Sequence, residues 1–398
     1  MLMLNRKFHI KFSKKLLILS LIIAVFVISV TIYYKKGLNY WFSSYIIWFI
    51  KKHISQSSPN LIHIMFLMID HFEPTKKENV IPWLTKYPKI AFQYKDSDGY
   101  HPRYTWAFPI EQYHKNHLFI ELISNLCRQG LGEIEVQFHH RNDNSESFRK
   151  RLREGISNFQ KHGACITIDG KTAFAFVHGN WALDNSVKKG DKNYCGVNNE
   201  LSILKEEGCF ADFTFPANGS MAQPSKINTI YYAKDDPFKP KSYNDGIDVE
   251  VGKPPYGDLM IFEGPLFINW RDWKHVLYPS IDDAQLQANN PPTPIRIDEW
   301  IKAGIHVKGK PDWIFVKVFT HGASPKNWRM LFDYGFKNLF DYLTKKYNDG
   351  QKYLLHFVTA REAYNIVKAA EAGLKGNPNQ FRNYLIKPYK NTIRENGR

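Results

Sequence analysis

Four apolar segments of strand length each run into imidazole or carboxylate side chains. Residues 62–69 lead to Asp70-His71, residues 133–138 to His139-His140, residues 172–177 to His178, and residues 313–319 to Thr320-His321. Segments with helical spacing lie between and after them, at 111–129, 145–162, 198–207 and 326–347. Strands that alternate with helices pair in parallel and carry the helices outside. In (β/α) barrels the reactive groups gather at the C-terminal strand ends.

Further strands are expected at 210–215 and 353–358, and further helices at 298–303 and 360–372. Residues 71–110 and 217–295 are rich in Pro and polar residues without periodicity, and read as two long loop insertions. The second holds short β-like runs at 259–262 and 265–268. The basic tail beyond Gly376 reads as peripheral. A hydrophobic content of 43% with 15% aromatic residues is ample for a packed core. No internal repeat or low-complexity tract is present.

The net charge of +16 is uneven: residues 1–60 hold nine Lys or Arg and no Asp or Glu. These cations flank residues 16–34, an uncharged apolar run of nineteen, long enough to span a bilayer as a helix. The run is long for a signal peptide, and Tyr33-Tyr34-Lys35-Lys36 follows it in place of a small-residue cleavage site. An uncleaved single-pass anchor is therefore expected. Arg6, Lys7, Lys11, Lys14 and Lys15 precede it, while Lys35, Lys36, Lys51 and Lys52 follow. This bias places the N-terminus in the cytoplasm and the bulk on the extracytoplasmic side. Residues 38–50 read as an interfacial helix, with a re-entrant hairpin as the alternative. The basicity thus points to a membrane and not to nucleic acid. The expected organisation is an anchor over 1–55, a catalytic unit over 56–375 and a tail over 376–398. Cys195 and Cys209 flank a helix, and either a disulfide or two buried thiols fits them. The absence of any C-x-x-C pair leaves a cysteine zinc site without support.

An imidazole and a carboxylate four residues apart, His139 and Asp143, can grip one divalent ion. Neutral imidazoles and carboxylates suit such an ion, and about three ligands leave room for water. His71, His139 and Asp143 are the expected ligands, Asp70 the general base and His321 the general acid. Each has a plainer reading. A strand-end histidine can bond a loop carbonyl, and Asp70 or Asp143 can cap a turn or helix. Four of six strand ends carrying histidine favours a convergent site. His140, His178 and Glu73 are further candidates. Asp184-Asn185 could bind sugar hydroxyls, and Trp106, Trp181 and Trp270 could stack on sugars or simply pack. Phosphate loop, nucleophile elbow and dinucleotide fingerprint are all missing.

The order of these segments resembles the polysaccharide deacetylases of carbohydrate esterase family four, the NodB-homology superfamily, over residues 60–370. The resemblance implies a distorted (β/α) barrel that removes acetyl groups from N-acetylated glycans with a divalent metal: zinc, nickel or cobalt. The family's first motif is a strand ending in Asp-Asp, where this chain has Asp70-His71. By position, Asp70 takes the base and His71 a metal ligand. Its His-x-x-x-His motif appears as His139 with Asp143, so one carboxylate and two imidazoles are kept while their positions exchange. The Arg-x-Pro motif is replaced by Phe176-Val-His178-Gly-Asn-Trp181. Asp212-Phe-Thr-Phe-Pro216 loosely matches the segment that orients the base, and Val318-Phe-Thr-His321 fits the strand bearing the catalytic histidine. Phrases such as Asp70-His-Phe-Glu-Pro74 and Cys195-Gly-Val-Asn-Asn-Glu-Leu201 resemble a divergent branch associated with bacterial exopolysaccharide genes. The altered motifs keep two alternatives open. One is a non-catalytic glycan-binding or exopolysaccharide assembly protein. The other is a glycoside hydrolase using Asp70 with Asp143 or Asp212.

Overall fold

The computed structural model describes residues 14–54, 59–273 and 279–393. The strands of its main sheet are β1 (Ile62–His71), β2 (Tyr104–Pro109), β3 (Gly132–Phe138), β4 (Phe174–His178), β5 (Cys209–Asp212), β6 (Thr229–Ala233), β7 (Gly246–Asp248), β8 (Leu259–Glu263), β9 (Gln285–Leu286), β10 (Trp313–Thr320) and β11 (Tyr353–Phe357). They form one sheet in the order β9-β10-β1-β2-β3-β4-β5-β8-β6-β7, with β11 pairing the first half of β1. Every pairing from β9 to β8 is parallel, and β6 and β7 are added antiparallel. The main helices are α1 (Lys14–Lys35), α2 (Phe42–Ile54), α3 (Tyr113–Arg128), α4 (Ser145–Gln160), α5 (Glu200–Glu206), α6 (Pro294–Lys302), α7 (Phe336–Lys346) and α8 (Ala360–Glu371).

This is a mixed α/β fold whose large, mostly parallel sheet fits a distorted barrel. Among the described residues no ladder joins β10 to β8. Side chains bridge that gap instead. Phe315 of β10 meets Phe262 of β8 at 6.3 Å between ring centroids, and Lys317 Nζ donates to the Phe262 carbonyl at 2.7 Å. Alternation along β1 splits its apolar residues between two cores. Ile64, Phe66 and Met68 pack outward with Trp83, Tyr104 and Trp106, whereas Met65, Leu67 and Ile69 pack inward with Phe315 and Phe262. Register aligns the strand ends: Asp70 pairs Thr320, His71 pairs Ala107, and Phe138 pairs His178.

Several segments differ from the sequence expectation. Residues 71–110 are not one loop, because β2 inserts there between β1 and β3. All six of its residues are buried, so it lacks the polar–apolar alternation that marks a half-exposed strand. The helix expected over 326–347 is interrupted at Leu331–Gly335 by a wider π turn. The C-terminal segment is not peripheral. Arg382 reaches Asp96 and Glu362, each at 3.2 Å, and the Tyr389 hydroxyl donates to Glu135 at 2.9 Å. α2 is also part of the folded unit, since Trp41 and Tyr45 join the outward core. All four cysteines are free and buried. α1 is apolar, long enough to cross a membrane and unburied along residues 18–35. Arg6, Lys7 and Lys11, the boundary at 55–56 and the last five residues lie outside the described residues.

Candidate functional site

The inward side of the strand ends gathers three imidazoles and a carboxylate. His71 ends β1, and Glu73 stands two residues on. His321 follows β10 and His139 follows β3. Donor atoms of His71, Glu73 and His321 lie within 4.8 Å of one another, close enough to share an ion. Glu73 Oε1 is 3.2 Å from His139 Nε2 and also accepts from Gln137. The His71 ring lies 4.8 Å from that of His321 and 4.9 Å from that of Trp181. A cavity of about 440 Å³ opens beside His71, Glu73 and His321. The sequence-expected residues brought together here are thus His71, His139, His321 and Glu73.

His139 Nδ1 faces Glu111 Oε1 at 2.7 Å, a bond that leaves Nε2 turned toward Glu73. A carboxylate on the outer ring nitrogen is the usual second partner of a metal-binding histidine. Burial works against a charge on His139, but its hydrogen bonds to the Glu111 and Glu73 carboxylates raise its pKa to about 9. His71 is the opposite case. Burial, then the neighbouring His321 and His139, hold its pKa far below the ordinary imidazole value, and its buried Nδ1 has no hydrogen-bond partner. Burial also lowers His321. A Cβ at Gly179 would stand 2.4 Å from the His139 ring, so the turn after β4 leaves room for that imidazole only as glycine. The neutral imidazoles of His71 and His321, with the orphaned Nδ1 of His71 and the Glu73 carboxylate, fit a borderline divalent cation.

Asp70 faces the other way. Adjacent strand residues point to opposite sheet faces, so Asp70 and His71 do not share a site. Asp70 is fully buried in the outward core, where its carboxylate accepts from the Gly322 amide at 2.6 Å and the Tyr104 hydroxyl at 2.9 Å. Burial, only partly offset by those bonds, pushes its pKa up to about 8. Its contacts fix the turn that carries His321.

Asp143 is held apart from His71 and His139 as well. The loop after β3 is laced to residues 193–195 by backbone bonds, Asn142 N to Asn193 O at 3.0 Å and Asp143 N to Cys195 O at 2.9 Å. Gly196 has φ +105°, and a Cβ there would lie 2.4 Å from the Asp143 carbonyl. Asp143 therefore turns outward, with His140 Nδ1 at 3.4 Å and Arg151 at 3.1 Å. Asn144, not Asp143, caps α4 through the Ser147 amide.

His140 belongs to a second, fully buried cluster with His178, Cys195 and Glu200, whose donor atoms lie within 4.8 Å of one another and as a set could hold a metal ion. Glu200 Oε1 lies 3.0 Å from His140 Nε2 and 3.8 Å from His178 Nε2, and Cys195 Sγ donates to Glu200 at 3.2 Å. His140 thus faces carboxylates on both ring nitrogens. Although burial opposes it, Glu200 and Asp143 raise its pKa, which favours a charged imidazolium. His178 Nδ1 accepts from the amides of Asn180 at 3.2 Å and Ala182 at 3.3 Å. A neutral ring accepting there carries its proton on Nε2, the atom nearest Glu200. As arranged, the cluster is a buried ion pair that ties β3 and β4 to α5.

Asp212 is also buried, held by the Thr214 amide at 3.0 Å and hydroxyl at 2.6 Å. Asp184 bonds Ser242, Trp106 lies in the core and Trp270 is largely exposed. Glu111 and Glu200 were missed in sequence. Glu111 lies just past β2, itself unrecognised, and Glu200 at the start of α5 looks like an ordinary helix-start carboxylate.

No protein-family profile matches the chain, and no curated protein matches it. Solved structures resemble it at a low level. A Mycobacterium smegmatis protein assigned as a polysaccharide deacetylase has a TM-score of 0.40 at 11% identity, covering 81% of this chain and 96% of that one. The 4-alpha-glucanotransferase of Thermococcus litoralis has a TM-score of 0.39 at 10% identity, over 74% of this chain and 39% of the other. A GH57 branching enzyme of Thermococcus kodakaraensis has a TM-score of 0.36 at 10% identity, over 74% of this chain and 70% of the other.

Proposed function

We propose that the chain is a membrane-anchored, metal-dependent hydrolase that removes N-acetyl groups from a polysaccharide. The observation that carries this reading is the meeting of His71, Glu73, His139 and His321 at the C-terminal mouth of the parallel strands, with Glu111 behind His139. His71, Glu73 and His139 would hold the ion, His139 giving up its Nε2 proton as the ion binds; this is the same balance of two imidazoles and one carboxylate expected from the sequence, with Glu73 in place of Asp143. A divalent ion there supplies carbonyl polarisation and an acidified water. His321, kept neutral by burial, is poised to accept a proton from water and return it to the leaving amine. Trp181, beside His71 and His321, offers a ring face to a sugar. α1 is the anchor, with the bulk outside the cytoplasm. The glycan as substrate rests on the order of the sequence motifs.

One observation favours a non-catalytic glycan-binding role: Asp70, the residue in the family's base position, is buried away from the cavity. The two readings part in one experiment. Detergent-purified full chain is assayed for bound zinc, nickel and cobalt, and for acetate release from N-acetylated glycans, beside Glu73→Gln and His321→Gln. About one ion per chain, lost in Glu73→Gln, with acetate release lost in both variants, supports the hydrolase. A bound ion without acetate release from any N-acetylated glycan leaves the binding role. A chain that takes up no ion overturns the hydrolase.

A further inference from the structure

A larger cavity, about 860 Å³, lies on the flank of the sheet beneath α2. Its apolar wall includes Ile47 and Trp48 of α2, Ile227 before β6 and Ile314 of β10. Five lysines line it, Lys51, Lys52, Lys226, Lys302 and Lys308, against one carboxylate, Asp248. Asp248 pairs with Lys226 at 2.9 Å, while Lys302 and Lys308 lean on Glu299 and Glu250 at its edge. Lys52 lies over the Trp48 ring at 4.7 Å. An apolar wall beside an excess of ammonium groups is complementary to an amphiphile with an anionic head.

The position of the cavity selects which amphiphile. α2 begins at Phe42, close behind the end of α1 at Lys35. Trp41 and Tyr45 fasten one side of α2 to the core, and Trp270 Nε1 donates to the Tyr45 hydroxyl at 3.1 Å. Ile46, Ile47, Phe49, Ile50 and Ile54 of α2 are exposed, as are Trp270 and Trp273. Exposed aliphatic residues flanked by tryptophan and lysine suit the bilayer surface.

We propose that this cavity binds an anionic phospholipid, its phosphate among Lys51, Lys52 and Lys302 and the upper part of a chain along Ile47, Trp48 and Ile314. The inference rests on the reading of α1 as a membrane anchor, and is independent of the metal site. The test uses the full chain in phosphatidylcholine nanodiscs doped with diazirine-bearing phosphatidic acid, with crosslinks mapped by mass spectrometry. Alkaline carbonate extraction of cell membranes reports separately on the anchor. Crosslinks at the cavity wall, reduced on the order of tenfold by Lys51→Gln with Lys52→Gln, and by Ile47→Glu, support the proposal. Retention in carbonate-washed membranes with crosslinks confined to α1 overturns the lipid site and leaves the anchor. Full competition by water-soluble glycerol phosphate at the same concentration also overturns it, because the apolar wall would then contribute nothing. Release by carbonate overturns the anchor and the lipid site with it. Ile47 and Lys51 are exposed on α2 and Lys52 is half-buried over the Trp48 ring, none of them in the core, so these substitutions leave the core intact.

Discussion

His139 Nδ1 lies 2.7 Å from Glu111 Oε1, two residues separated by 28 positions and by the whole of α3. The pair turns the opposite ring nitrogen toward Glu73. Replacing Glu111 by Gln keeps the shape and removes the charge that orients and raises the imidazole. A fall in metal affinity of about 10–100-fold is expected, read by competition with a chromogenic chelator. Unchanged affinity would remove His139 from the ligand set.

Gly179→Ala should act at the same ring from the other side. A methyl group would lie 2.4 Å from it, so the imidazole must move. Metal affinity should fall with little loss of thermal stability, because the displaced ring is only partly buried. A variant that binds metal as wild type would place His139 away from the ion.

Asp70→Asn separates a base from a positioning residue. With burial pushing its pKa up to about 8 and both oxygens engaged, Asp70 is expected to position the turn that carries His321 and not to act as the base. The variant should keep most of its turnover, because Asn can still accept from the Gly322 amide, whereas His321→Gln should abolish it. Equal loss in both would restore Asp70 to the chemistry.

Glu200→Gln should be severely destabilising without touching the cavity. His140 and Glu200 are both fully buried and 3.0 Å apart. Removing one charge leaves the other unpaired, at a cost of about 3–5 kcal/mol, measurable by urea unfolding. A loss well below that would mean that His140 is neutral in the folded protein.

At the opposite end of β1, His63 Nδ1 meets His356 Nε2 at 2.9 Å, and His356 Nδ1 meets Asp98 at 2.5 Å. Burial first, then His356, lowers the His63 pKa to about 4, with Asp312 and Asp98 opposing and Lys310 assisting. The folded state therefore keeps His63 neutral where the unfolded chain, near 6.5, protonates it. This contribution to stability is present above about 6.5 and is lost as pH falls through about 4. His63→Gln should flatten part of the decline in melting temperature between those values. A wild-type-like slope would assign the acid sensitivity to the carboxylates.

The sequence alone carried the strand–helix alternation, the long apolar N-terminal helix and the placing of histidines at strand ends. These are local properties, because periodicity and turn residues act over a few positions. His71, His139 and His321 were legible for that reason, since each sits directly at the end of a recognisable strand. Only tertiary structure decided which side of the sheet each group faces and which distant groups join it. Asp70 and His71 differ by one position and lie on opposite faces. Asp143 is drawn outward by its bonds to the 193–196 loop, and Glu73 is the carboxylate that lies beside His71, His139 and His321. Glu111 depends on β2, whose burial on both faces removed the alternation that would have revealed it. Trp41 and Arg382 joined the folded unit through contacts far along the chain. Such pairings depend on register and curl across the sheet, which no short window of sequence encodes.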